Sequence, residues 1–134
     1  MRLQTALQRW THSDIRAEAL QYKNLHAELP FFAPAPKGTE RFGDYIEGAI
    51  DLLCTNPGST EALLVDYKTG DKNLTPAEIY EHHKTQARLY ASVLINQGFT
   101  AVTCAFVCVE LDAGELLGDD KTDQPYVVRY DFHA

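Results

Sequence analysis

Two apolar runs separated by a tight turn constrain this chain more than anything else in it. Tyr45 to Cys54 reads Tyr-Ile-Glu-Gly-Ala-Ile-Asp-Leu-Leu-Cys, and Glu61 to Lys68 reads Glu-Ala-Leu-Leu-Val-Asp-Tyr-Lys. Between them lies Asn56-Pro-Gly-Ser59, which is turn chemistry. The arrangement predicts a β-hairpin. Side chains alternate between faces along a strand, so Asp66 and Lys68 emerge together and Tyr67 points the other way. If the register is symmetric about Gly58 and Ser59, Asp51 stands directly opposite Asp66. Directly opposed residues have Cβ atoms roughly 4.5–5.5 Å apart. Two carboxylates and a lysine then gather at one end of the hairpin.

The other elements are arranged around it. Leu3, Leu7 and Trp10 form a helical stripe at i, i+4, i+7. Ser13 or Asp14 can cap a second short helical segment carrying Ile15, Ala19 and Tyr22. Leu25 to Phe32 reads as a strand, closed by the proline-broken loop Ala33-Pro-Ala-Pro-Lys-Gly38. Thr75-Pro-Ala-Glu78 combines an N-cap, proline at N1 and a capping-box glutamate. Gly98 is a good C′ stop, so a long helix is expected from about Pro76 to Gln97. Ile79, Gln86, Leu89, Tyr90 and Val93 fall near one of its faces. Ala101 to Val109 is almost wholly apolar, as a buried central strand would be. Leu111 to Gln124 is acidic and reads as a mobile loop; Asp119-Asp120-Lys-Thr-Asp123 within it lacks the Gly and Glu of a calcium loop. Tyr126, Val128, Tyr130 and Phe132 alternate with Val127, Arg129 and Asp131, the pattern of a half-buried edge strand. The order predicts an α/β fold, a central mixed sheet flanked by helices. One domain spans residues 1–134: an N-terminal helical segment over 1–23, then the sheet and long helix over 24–134.

Composition narrows the function. A chain of 134 residues can bury one real core. A net charge of −7 is unhelpful for gripping phosphates, which takes Lys and Arg. It suits a carboxylate-rich metal site, so any hold on nucleic acid should come mostly from elsewhere. No apolar run reaches the ~18 residues of a membrane span, and the start of the chain does not read as a signal peptide. An odd set of three cysteines argues against a disulfide framework. The expectation is a cytoplasmic protein with no membrane association.

Two aspartates facing each other repel unless one is protonated or a cation lies between them. Carboxylates with waters suit Mg²⁺, and the Tyr67 backbone carbonyl is a natural further ligand. Such a metal can polarise a phosphate oxygen and activate water, while Lys68 orients that water or stabilises developing charge. An isolated Asp-X-Lys is commonly just a surface salt bridge; Gly48-Ala-Ile-Asp51 one strand earlier is what raises its interest. Gln86 and Tyr90, four apart, share a helix face. An inward amide needs partners, and metal ligands, Lys68 or a substrate phosphate are the candidates.

Taken in order, Gly48-Ala-Ile-Asp51, Val65-Asp66-Tyr67-Lys68-Thr69-Gly70, and Tyr80 with Gln86-Ala-Arg-Leu-Tyr90 resemble the RecB-type nuclease domain of the PD-(D/E)XK superfamily. The likeness is greatest to the C-terminal domain of AddA/RecB-like helicase–nucleases of the UvrD/Rep family. Glu28-Leu-Pro-Phe31 resembles the segment that precedes the Asp51 motif there. The resemblance implies a restriction-endonuclease-like core and a metal-dependent DNA nuclease for end processing and recombinational repair. Asp51 and Asp66 would be catalytic metal ligands, assisted by the Tyr67 carbonyl, and Lys68 the catalytic lysine. Gln86 and Tyr90 would support the site or contact DNA. The metal would be Mg²⁺, with Mn²⁺ as a substitute, and the partners DNA, a helicase portion of the same polypeptide and a second subunit. The group also carries a histidine ligand further upstream, which neither His12 nor His26 matches in position. The expectation is therefore a fragment of a larger protein. Some relatives hold an iron–sulfur cluster through four cysteines. Cys104 and Cys108, four apart on a strand, are separated by about 13 Å at ~3.3 Å per residue, so all three cysteines are expected in the core and no cluster. His26 reads as structural, and His82 and His83 as facing solvent or DNA. Lys84 and Arg88 could touch phosphates from a solvated helix face. The competing reading is a catalytically inactive nuclease-like scaffold that binds DNA or protein.

Overall fold

The computed structural model describes residues 2–34, 45–118 and 124–134. Helices α1 (Arg2–Thr11) and α2 (Asp14–Ala19) lead into β1 (Asn24–Pro34), β2 (Tyr45–Thr55) and β3 (Glu61–Lys68). Helix α3 (Pro76–Asn96) crosses over to β4 (Ala101–Asp112), and the short α4 (Ala113–Leu117) precedes β5 (Pro125–His133). The five strands form one mixed sheet in sequence order: β3 and β4 run parallel, and every other pair is antiparallel. The α/β fold with a flanked mixed sheet is the observed one.

The hairpin register is the symmetric one. Leu52 pairs Val65, Leu53 pairs Leu64, Cys54 pairs Leu63 and Thr55 pairs Ala62. Alternation then sorts the side chains of β3. Leu63 and Val65 join Ile15, Ala19, Cys54, Ala105 and Val107 in a core under α1 and α2. Leu64 faces the larger core under α3, with Ile79, Ala87, Tyr90, Leu94, Cys104 and Phe106. Central position explains the apolar run in β4, since helices cover both its faces and strands both its edges. β5 is an edge strand, as its alternation predicts. All three cysteines are buried in these cores.

Caps fix the helix starts. The Ser13 hydroxyl accepts from the Arg16 N–H at 3.1 Å. At α3 the capping box is complete, Thr75 Oγ1 accepting from the Glu78 N–H and the Glu78 carboxylate from the Thr75 N–H. Three expectations need correction. Leu7 does not complete an inward stripe: it is 60% exposed, and Ala6 is the buried residue of that turn. Leu111 to Gln124 is not one loop, because β4 runs on to Asp112, which caps α4 through the Glu115 N–H, and Gly118 ends it in the left-handed region at φ 73°. The buried residues of α3 are Ile79, His83, Ala87, Tyr90, Ala91, Val93 and Leu94, so Ile79, Tyr90 and Val93 face inward as expected, while Gln86 and Leu89 are only half-buried at the flank. The loop expected at 33–38 lies outside the described residues beyond Pro34, which itself ends β1, and so does the acidic run 119–123.

Replacing Thr75 by Ala removes one half of the capping box. Stability should fall by about 1 kcal/mol, seen as a lower urea midpoint at unchanged slope; a midpoint equal to that of the parent chain would mean the cap contributes nothing here.

Candidate functional site

The β2–β3 ladder ends at Leu52 and Val65. One residue further on, the strands replace ladder bonds with side-chain bonds. Asp51 Oδ2 accepts the Tyr67 N–H at 2.8 Å, and the Asp51 carboxyl lies close enough to Asp66 to raise it. Asp66 is only 4% exposed. Burial pushes its carboxyl up to about 6, Asp51 adds to this, and Lys68 opposes it. Two carboxylates this close repel, which favours protonation of Asp66 or a cation placed between them.

Lys68 follows Asp66 on the same face. Its Nζ lies 2.8 Å from Asp66 Oδ2 and donates to Gln86 Oε1 at 2.5 Å. It also sits 5.0 Å from the centre of the Phe106 ring, in cation–π range. Gln86 reaches the site because α3 packs over this face. Its Nε2 donates to the Tyr90 hydroxyl at 3.0 Å, and burial pushes that phenol up to about 12. Asp51, Asp66, Lys68, Gln86 and Tyr90 are therefore one connected chain of polar contacts. Tyr67 turns to the opposite face, edge-on to Trp10 at 4.9 Å. In β1 the pairs Ala27–Leu52 and Leu29–Ile50 flank Glu28, which lies across from Asp51 with φ 51°, an uncommon backbone for glutamate.

Of the two histidines expected to face solvent or DNA, His82 is exposed but His83 is not. His83 is 7% exposed rather than facing solvent. Its Nε2 and the Nδ1 of His82 both lie 2.8 Å from the carboxylate of Asp71, one on each oxygen. Burial alone would raise the Asp71 carboxyl, but the bonds from His83 and His82 outweigh it and hold the group below its ordinary range. Helical spacing contained the signal: His83 is four residues after Ile79 and four before Ala87, on the buried stripe, where a polar side chain needs a partner. His26, expected to be structural, is exposed on β1, and His12 is exposed after α1. Lys84 is half-buried and pairs loosely with Glu81 at 3.9 Å, while Arg88 is exposed.

The sequence matches the PD-(D/E)XK nuclease superfamily over residues 2–126. No curated protein matches it. The solved structure of SSO0001 is similar at 11% sequence identity and a TM-score of 0.38. That likeness covers 89% of this chain and 46% of the other, so the chain spans less than half the length of SSO0001. With a family match over nearly its whole length and the mixed sheet such a core requires, the chain belongs to the PD-(D/E)XK nuclease superfamily.

Proposed function

We propose that this chain is a Mg²⁺-dependent deoxyribonuclease that hydrolyses phosphodiester bonds at the Asp51–Asp66 pair. One observation carries the reading: two adjoining carboxyls, one of them buried, stand with a lysine ammonium at the end of a hairpin. The residues fit such an ion. A divalent cation would relieve the repulsion between the two carboxyls, and an oxygen-only donor set suits Mg²⁺, with Mn²⁺ as a substitute. The Tyr67 N–H points at Asp51. In an extended strand the C=O of a residue turns to the same side as its N–H, so the Tyr67 carbonyl faces the same gap and would be a third ligand. Mg²⁺ there would polarise a phosphate oxygen and lower the pKa of a bound water.

The chain's own groups do the rest. Lys68 offers its ammonium to a non-bridging phosphate oxygen, where negative charge develops. Asp66 on one side and Gln86 on the other hold that ammonium in place. Gln86 and Tyr90 are positioning residues for Lys68, and Gln86, half-buried at the edge of the site, is also the residue set to meet a DNA phosphate. We place the domain in a helicase–nuclease that processes DNA ends during recombinational repair. What supports this is the resemblance of its motifs to the RecB-type domain. The net charge of −7 is consistent with it, because a helicase portion of the same polypeptide and a second subunit would then supply most of the phosphate contacts.

Lys68→Ala should lower cleavage of linear DNA by about a hundredfold or more while leaving the circular dichroism spectrum unchanged. Cleavage at the parent rate would remove Lys68 from the mechanism. Gln86→Ala should reduce the rate less, roughly tenfold, again without unfolding. If the parent chain cleaves nothing with Mg²⁺ or Mn²⁺, the non-catalytic scaffold is the better reading.

The elevated Asp66 carboxyl adds a pH signature. Its folded-state value, about 6, lies above its ordinary 3.8. The ion-free fold therefore loses stability as pH rises from about 4 to about 6, because the unfolded chain releases that proton first. Ion binding must displace the same proton. Mn²⁺ affinity, read by calorimetry, should increase about tenfold per pH unit below 6 and level off above it. Asp66→Asn should flatten that profile; an unchanged slope would assign the proton to another group.

A further inference from the structure

We propose that Asp71, His82 and His83 form a second metal site, separate from the Asp51–Asp66 pair, that takes a first-row divalent transition ion, with Zn²⁺ as the expected occupant. The three ligand atoms, one from each residue, all lie within 4.8 Å of one another. Ligands at 2.0–2.2 Å from a common ion are separated by roughly 3–4 Å, so these atoms need only small movements to share one. The chemistry differs from that of the acidic pair. Two imidazoles and one carboxylate suit Zn²⁺, Co²⁺, Ni²⁺ or Fe²⁺, whereas Mg²⁺ prefers oxygen.

The arrangement is also built in advance of any ion. Neighbouring residues on a helix point about 100° apart, yet His82 and His83 turn to the same carboxylate and their rings stack at 4.5 Å. The Asp71 side chain is 2% exposed, and the ring of His83 packs edge-on to Phe106 at 5.5 Å. Asp71 itself occupies the left-handed region at φ 61°, directly after Gly70 at φ 87°. A side chain held by two partners on an uncommon backbone is a fixed ligand, not a wandering one. Binding requires each ring to move its proton to the other nitrogen, leaving Nδ1 of His82 and Nε2 of His83 to donate their lone pairs. The His82 side chain is 61% exposed, so the side of the cluster facing solvent is open and water can complete the coordination.

The site's place in the fold gives the ion a consequence. Asp71 is three residues beyond Lys68, and His82 and His83 belong to the helix that carries Gln86 and Tyr90. The Gly70 N–H between them is held by Glu110 at 3.4 Å. An ion here ties the turn after β3 to α3 and so stiffens the contact between Lys68 and Gln86 without touching substrate.

The test uses the untagged chain carrying Asp51→Asn and Asp66→Asn, isosteric changes that remove the acidic pair's charge. Zn²⁺ should bind this chain as a single ion by native mass spectrometry and raise its melting temperature. Co²⁺ should give visible d–d bands that excess Mg²⁺ does not bleach. His82→Ala, a change at an exposed ring that the fold tolerates, should weaken Zn²⁺ binding by roughly tenfold or more and abolish the Co²⁺ bands. Asp71→Asn should do the same. A chain that retains no Zn²⁺, or one whose stoichiometry and Co²⁺ spectrum survive His82→Ala, would overturn the site and leave a histidine–aspartate clamp in its place. Because the acidic pair is already neutralised, neither outcome depends on nuclease activity.

Discussion

The structure depends on strand β3 being covered on both faces and on both edges. β2 and β4 bond its two sides, α1 and α2 lie under one face, and α3 lies over the other. Each successive side chain therefore has to suit a different interior. Leu63, Leu64 and Val65 do so as hydrocarbons. At Asp66 the strand begins to place charge in the α3 interior, and everything around that position answers it: Asp51 from the hairpin partner, Lys68 from the same face, and Gln86 from the helix above. Burial without compensation would be costly for a carboxylate. Here the compensation is the Lys68 ammonium, and the raised Asp66 carboxyl beside Asp51 is a place that a divalent cation can enter.

The end of the β2–β3 ladder is what opens the site. Had the backbone pairing continued past Leu52 and Val65, the Tyr67 N–H would have been consumed by a strand carbonyl. Instead it is held by the Asp51 carboxylate. The sheet thus converts backbone valence into a fixed orientation for an acidic side chain. The turn beyond Lys68 repeats the device, with the Gly70 N–H bonded to Glu110 and the Asp71 carboxylate to two helical histidines. The two acidic groups lie on either side of Lys68 along the chain; α3 contacts Asp71 directly and reaches Asp66 through the Gln86–Lys68 bond.

Much of this was legible in the amino-acid order. The hairpin register followed from Asn56-Pro-Gly-Ser59 and two strands of apolar character, since a slip of one residue would have turned every core side chain outward. The start of α3 followed from Thr75-Pro-Ala-Glu78, because a capping box is local chemistry. Leu7 shows where periodicity fails: the stripe identified a helix correctly but not which side of its arc the sheet would cover. Asp112 shows another limit. Its role as a cap for α4 depends on β4 continuing three residues past the apolar run, and edge pairing with Pro125, across an irregular register, decides that.

Sequence by itself determined what is local or periodic. It placed the strands, the long helix, the pairing of Asp51 with Asp66 across a turn, and the shared face of Asp66 and Lys68, because alternation and turn symmetry need no knowledge of distant segments. Tertiary structure decided what depends on how α3 lies across the sheet. That packing selects Lys68 as the partner of Gln86 and buries His83 against Phe106. It also brings Asp71, eleven residues before His82, under two neighbouring imidazoles. Helical spacing can flag His83 as inward and Gln86 as needing a partner, but these pairs are far apart along the chain, so only the packed helix fixes which residues meet.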